Sequence, residues 1–170
     1  YQQYLNKNDN EHLALTFYRI GVLQRSHQPN NSISAFNEYI STKDETYLNE
    51  VLYQLGYLYI ETKYLKNAIN SFEEYLSKGY KTHADEVQYQ LGILYIKNKQ
   101  PRKAIAVYEQ YLSGEVKEHT AITQLSVGSL YLETKQPFLA LTAFENARQY
   151  PQYQRNIDLL QTLKVLYRET

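Results

Sequence analysis

The sequence predicts an all-α chain, a solenoid of helix-turn-helix repeats, and two interleaved signatures predict it. In the first, an aromatic residue is followed at the fourth place by Tyr or Ala and at the fifth by Leu, Ile or Arg. It begins at Tyr1, Phe36, Phe72, Tyr108 and Phe144, at spacings of 35, 36, 36 and 36 residues. In the second, an aliphatic residue and a glycine recur as Ile20-Gly21, Leu55-Gly56, Leu91-Gly92 and Val127-Gly128, each followed three residues later by Gln24, Tyr59, Tyr95 or Tyr131. A fixed period of this length marks a repeat array, whose units bury their apolar faces on their neighbours.

Each period contains two helical stripes. Leu52, Leu55 and Tyr59 stand at i, i+3 and i+7, and Ala68, Phe72, Tyr75 and Leu76 at i, i+4, i+7 and i+8. Both patterns give an amphipathic helix. A small residue (Ser32, Ala68, Ala104, Ala140) precedes each signature aromatic by four. Gly56 and Ala68 are thus predicted where two antiparallel helices approach closely, with the large rings filling the space towards the next repeat.

In chain order, residues 1–6, YQQYLN, align with YEQYLS at 108–113 and FEEYLS at 72–77, so residues 1–10 read as the end of a truncated preceding repeat. The first full repeat, 11–44, pairs helices over 11–25 and 31–41. The second, 45–80, pairs 45–62 with 65–78; the third, 81–116, pairs 82–98 with 101–113; the fourth, 117–152, pairs 118–134 with 137–149. Pro29, Pro101 and Pro137 share one repeat position, the first turn of the second helix, where a missing N–H costs nothing. Gly79 and Gly114 are placed for left-handed helix caps. Residues 153–170 form a capping segment whose helix, about 152–167, carries Leu160, Leu163 and Tyr167 in the first-helix pattern. Lys164 stands there in the glycine's place and would clash with a close second helix.

These residues resemble the tetratricopeptide repeat, whose pattern runs W-x2-L-G-x2-Y and then A-x3-F over about 34 residues. YQLGYLY with AINSF, and YQLGILY with AIAVY, carry the match. The tryptophan position reads Phe17, Leu52, Gln88 and Gln124, and the period of 36 is two residues longer than that pattern. The stretch 82–92, THADEVQYQLG, is similar to a longer-turn subclass found in bacterial cell-envelope proteins. The resemblance implies a right-handed α-solenoid that binds protein partners, in the bacterial periplasm or at the outer-membrane periphery in preference to the cytoplasm. The Lys and Asn with which chaperone-binding members hold a C-terminal carboxylate are missing, those positions reading Tyr18, Val22, Tyr53 and Tyr57.

Composition narrows the function further. Eighteen Lys and Arg balance 18 Asp and Glu, leaving no basic stripe for a phosphate backbone, so nucleic acid is not an expected partner. No apolar run approaches the ~20 residues of a membrane span. There is no Cys, which removes disulfides, thiolate zinc sites and thiol nucleophiles. The paired carboxylates Glu73-Glu74 and Asp85-Glu86 lack a base or nucleophile beside them, and no phosphate loop or nucleophile elbow is present. The expectation is therefore a non-enzymatic chain without cofactor or metal. His12, His83 and His119 share one repeat position with Tyr47 and Arg155; a spacing of about 10 Å between stacked helices is too long for one ion to bridge. They read as packing residues.

The residues expected to carry function line the concave first-helix face: Tyr18, Val22 and Arg25 in the first repeat; Glu50, Tyr53, Tyr57, Ile60 and Glu61 in the second; Glu86, Tyr89, Ile93, Ile96 and Lys97 in the third; Leu125 and Ser129 in the fourth. Tyrosine offers large contact area at low entropic cost, suited to an apolar or amphipathic peptide, although tyrosine at the position of Tyr18, Tyr53 and Tyr89 is common in the repeat as semi-buried packing, and packing explains Tyr53, Tyr57 and Tyr89 as well as a groove does. The predicted function is a scaffold that binds a peptide segment of a partner in an envelope assembly or secretion complex. Two rivals stand beside it: a periplasmic domain guiding a polysaccharide over its tyrosines, with Glu50, Glu61 and Glu86 as hydrogen-bonding partners, and a purely architectural spacer of a longer solenoid.

Overall fold

The computed structural model describes residues 2–169 except 114, 116 and 117, and leaves out the side chains of 2–8 and 169. The expected cap at Gly114 and the signature residue Tyr1 lie outside the described residues. Among the described residues there are nine helices and no strand. They divide into two compact units, 1–84 and 85–170, cut within a few residues of the boundary expected between the second and third repeats. The first unit holds α1 (Gln2–Gln24), α2 (Pro29–Ser41), α3 (Leu48–Glu61) and α4 (Leu65–Ser77). The second holds α5 (Ala84–Lys97), α6 (Pro101–Leu112), α7 (Thr120–Glu133), α8 (Pro137–Arg148) and α9 (Ile157–Glu169).

Several boundaries differ from those the sequence suggests, among them the start of α2, which falls at Pro29 and not at 31. The first helix does not break between residues 6 and 11: α1 is continuous over Gln2–Gln24, and no Gly or Pro interrupts that stretch before Gly21. First helices α3, α5 and α7 start two or three residues later than the periodicity places them. The residues ahead of them form a turn held by side-chain hydrogen bonds. Finally, α9 starts at Ile157 after a turn over 151–155, with the Asn156 carboxamide oxygen accepting the Leu159 N–H at 2.9 Å. Asparagine in that place satisfies one of the unpaired donors of a helix start.

The glycine signature is a packing contact within each helix pair. Gly21 lies under the ring of Phe36, Gly56 under Phe72, Gly92 under Tyr108 and Gly128 under Phe144. A Cβ on Gly128 would stand 2.6 Å from Phe144 Cε1, closer than carbon atoms approach. The rings therefore close the pair to which they belong, whereas the sequence pattern alone directs them towards the next repeat. Phe36 and Phe72 have no exposed surface, a burial worth roughly 1.5–3 kcal/mol each. Ser32, the one hydroxyl in the small-residue row, donates to the Gly21 carbonyl at 2.7 Å and adds a polar lock to the first pair.

A second set of contacts ties each second helix to the turn that follows it. Tyr39, Tyr75 and Tyr111 are buried, and their hydroxyls accept the backbone N–H of Tyr47 at 2.8 Å, His83 at 3.1 Å and His119 at 3.2 Å. The Tyr39 hydroxyl also donates to Asp44 Oδ1 at 2.9 Å. A third set crosses from a second helix to the next first helix, 22 residues on: Asn37 donates to the Tyr59 hydroxyl at 3.2 Å, and the Tyr131 and Tyr167 hydroxyls donate to Glu109 and Glu145.

The turns inside the pairs carry a signal the periodicity does not expose. Lys63, Lys99 and Lys135 adopt φ of 66°, 56° and 60°. The next N–H reaches back five residues in every case, from Tyr64 to Tyr59, Gln100 to Tyr95 and Gln136 to Tyr131, at 2.8, 2.9 and 2.7 Å. This is the Schellman closure, with lysine where glycine is the least strained choice. Proline then starts α2, α6 and α8 as expected, and Gly79, φ 74°, caps α4.

Two substitutions test this packing by urea denaturation. Helix propensity alone favours Gly56→Ala by about 1 kcal/mol, but the immobile Phe72 ring makes a net loss of about 1–3 kcal/mol the expected result. Lys99→Gly relieves a left-handed backbone and is expected to gain about 0.5–1 kcal/mol.

Candidate functional site

The first-helix face is built in each unit from side chains pointing away from the glycine contact. In the first unit, Tyr18, Val22, Arg25, Glu50 and Glu61 converge on a cleft of about 420 Å³ completed by Ser26, Phe36 and Gln54. Gln54 donates its amide to Glu50, while its carbonyl oxygen is buried and has no hydrogen-bond donor. Burial first, and then Glu50 and Tyr47, push the Tyr18 hydroxyl above its ordinary value, so it stays a neutral donor. The cleft thus offers an aromatic floor, one guanidinium, two carboxylates and an amide. Tyr53, Tyr57 and Ile60 do not line it. Tyr57 packs edge-on against Tyr53 at 5.0 Å and Phe72 at 5.5 Å, half-buried beside the helix pair.

In the second unit, Glu86 and Tyr89 enter a cleft of about 400 Å³ together with Asp85, Gln90, Tyr111, Glu118 and His119. Its walls are aromatic and its rim acidic. Burial raises the Tyr111 hydroxyl above its ordinary value, and Asp85, Tyr89 and Glu118 add to that while the His119 N–H opposes it. Ile93, Ile96, Lys97, Leu125 and Ser129 lie outside this cleft; Ile93 and Leu125 are half-buried and the other three exposed.

The row of histidines finds its place here. Tyr18 stacks on Tyr47 with ring centres 4.3 Å apart, Tyr53 on His83 at 4.1 Å and Tyr89 on His119 at 4.1 Å, with interplanar angles of 8°, 20° and 22°. One face of Tyr18, Tyr53 and Tyr89 is therefore occupied by a ring from the next turn, the same turn whose N–H the buried tyrosine hydroxyl holds. His12, the remaining copy, is exposed on α1. Sequence reasoning flags the shared position but misses the stack, because the partner lies 29 or 30 residues away. It also misses Gln54 and Gln90, which share a repeat position that their common residue type marks.

Helix pairs closed by a glycine–aromatic contact, repeated at 35 or 36 residues, define a helical-repeat protein of the interaction-scaffold class. Comparison with known proteins identifies the repeat. Residues 50–77 match one tetratricopeptide-repeat family model and residues 86–113 another. Residues 50–77 and 86–113 are thus tetratricopeptide repeats, and the chain has the fold of the all-α solenoids of that repeat. Among solved structures it is similar to YrrB, a TPR protein with an unusual peptide-binding site, at 17% identity over 99% of this chain and 82% of that one, TM-score 0.70. It is also similar to MamA, at 18% identity over 93% and 82%, TM-score 0.68, and to a MamA chain from Desulfovibrio magneticus RS-1, at 19% identity over 92% and 85%, TM-score 0.65. No curated protein matches the chain in sequence.

The buried hydroxyls set an alkaline limit. Burial, reinforced by Glu109, pushes Tyr131 up to about 12, above the ~10 of an unfolded tyrosine. A folded value above the unfolded one contributes stability that is complete below pH ~10 and is lost as pH rises through 12. Helical circular dichroism is expected to hold to about pH 10 and fall above it, and Tyr131→Phe is expected to flatten that loss.

Proposed function

We propose that this chain is a non-enzymatic scaffold whose first-helix face binds a peptide segment of a partner protein. The carrying observation is the stacked row of Tyr18, Tyr53 and Tyr89 on Tyr47, His83 and His119. Rings fixed this way lose little entropy on binding, so contact energy is retained as affinity. Beside them stand clefts of about 420 and 400 Å³ with polar groups that orient a backbone or side chain. The peptide-binding site of the similar protein YrrB supports the same reading. A sugar chain stacks on open ring faces, and three of these rings have one face already covered, which favours peptide.

We place the scaffold in a bacterial envelope assembly or secretion complex, in the periplasm or at the outer-membrane periphery. The support is the longer-turn pattern of residues 82–92 and the 36-residue period. No helix among the described residues is long and apolar enough to cross a membrane, so the contact of these residues with such a complex runs through protein surfaces.

Photo-crosslinkers placed singly at Val22 and at Ile93 in the native cell are each expected to capture a partner segment, and a crosslinker at the outward position Ala106 is expected to capture none. The double substitution Tyr57→Ala with Tyr89→Ala is expected to reduce that capture at least tenfold with helical circular dichroism intact. Crosslinks confined to the chain itself would turn the reading into the architectural one.

A further inference from the structure

The same aromatic frame is built twice, and the second copy carries added charge. In the first unit Tyr53 stacks on His83 with ring centres 4.1 Å apart and lies 6.4 Å from Tyr75, whose hydroxyl accepts the His83 N–H at 3.1 Å. In the second unit, 36 residues on, Tyr89 stacks on His119 at 4.1 Å and lies 5.8 Å from Tyr111, whose hydroxyl accepts the His119 N–H at 3.2 Å. Glu50 and Glu86 correspond. Two neighbouring positions do not: Asn49 and Thr82 of the first frame are replaced by Asp85 and Glu118 in the second. Because the frame closes in the same way with the uncharged pair, the two added carboxylates are not needed to build it.

Both carboxylates line the cleft of about 400 Å³ walled by Tyr89, Tyr111 and His119, a size within the roughly 300–1,000 Å³ of ligand pockets. Asp85 enters from the first turn of α5 and Glu118 from the turn before α7, and both are exposed. Their fields meet at the Tyr111 hydroxyl: burial first, and then these two charges with Tyr89, hold it above its ordinary value. No Lys or Arg among the described residues lines the cleft. Acidic residues in a first turn also favour the helix that follows, a use that fits Asp85 and Glu86. Glu118 stands outside α7, ahead of its cap residue His119.

A negative rim over an aromatic wall is complementary to one kind of side chain. The planar, weakly hydrated guanidinium stacks on aromatic rings and pairs with carboxylates in a fork, whereas an ammonium is compact and strongly hydrated. We propose, resting on the peptide-binding role set out above, that this cleft is the subsite for an arginine side chain of the partner segment, its guanidinium held against the aromatic wall and paired with Asp85 and Glu118. The partner segment then carries an arginine where it crosses the start of α5. The uncharged Asn49 and Thr82 leave the equivalent place in the first unit without this preference.

The probe is N-acetyl-arginine amide, titrated into the intact chain and followed by the amide NMR shifts of Tyr89 and His119. N-acetyl-citrulline amide, close in shape and uncharged, is the control. Saturable shifts are expected with arginine, weaker at high salt, and none with citrulline. Asp85→Asn with Glu118→Gln is expected to weaken binding at least fivefold with circular dichroism unchanged, since both side chains are exposed. The reciprocal pair, Asn49→Asp with Thr82→Glu, is expected to bring the same response to Tyr53 and His83. Absence of saturation with arginine, equal shifts with citrulline, binding that survives the first pair, or a reciprocal pair that transfers nothing overturns the proposal. Partner capture at Val22 and Ile93 without arginine binding overturns the subsite and leaves the peptide role standing. Arginine binding with crosslinks confined to the chain overturns the peptide role and supports the chemistry of the cleft.

Discussion

The structure depends on a ring placed where a side chain has been deleted. Each pair of helices closes because Gly21, Gly56, Gly92 or Gly128 leaves room for an aromatic ring that a Cβ would exclude. Glycine in a helix interior costs about 1 kcal/mol in propensity. Burying a phenylalanine or tyrosine ring at native density more than offsets it. The contact also fixes the axial register of the two helices, since the ring has one gap to enter. The turn residues then have a defined span to bridge, and the Schellman closures at Lys63, Lys99 and Lys135 bridge it in the same way three times.

Tyrosine has three separate duties in this chain, divided by repeat position. Tyr39, Tyr75 and Tyr111 are buried and hold a following turn by its N–H. Tyr59 and Tyr131 reach a polar residue of the previous second helix. Tyr18, Tyr53 and Tyr89 face outward and stack. The first duty orders the turn on which the third depends, because the ring that supports each outward tyrosine belongs to the residue whose N–H is held by a buried one. Packing and the candidate surface are therefore one network. This explains why the sequence could not separate the two roles for Tyr53 and Tyr89: both descriptions apply to them.

The two clefts differ in charge and in place: the first runs along Val22 and Arg25 in the later part of α1, whereas the second lies beside Asp85, Tyr111 and His119, at the start of α5 and the turn before α7. Arg25 stands where the other repeats carry Ile60, Ile96 and Leu132, and Asp85 and Glu118 bring the second cleft its acidic rim. Single residue changes on a near-constant repeat backbone thus give each cleft its own charge.

The period, the helix pairs, the proline starts and the family resemblance were all legible in the chain, because i, i+3, i+4 and i+7 spacing and a 36-residue recurrence are properties of sequence order. The face of a helix on which each residue falls was legible for the same reason, since it follows from the residue's number. Which of those residues share a cleft was not, since Tyr18 meets Glu61 and Tyr89 meets Glu118 across turns whose path no local rule specifies. Nor was the continuity of α1, where an end-of-helix signature runs on because nothing interrupts it. Sequence by itself determined the repeat and its class, through periodic burial. Tertiary structure decided the stacking of the tyrosines and the shape of the clefts, because these depend on which helix surfaces and turns are brought together.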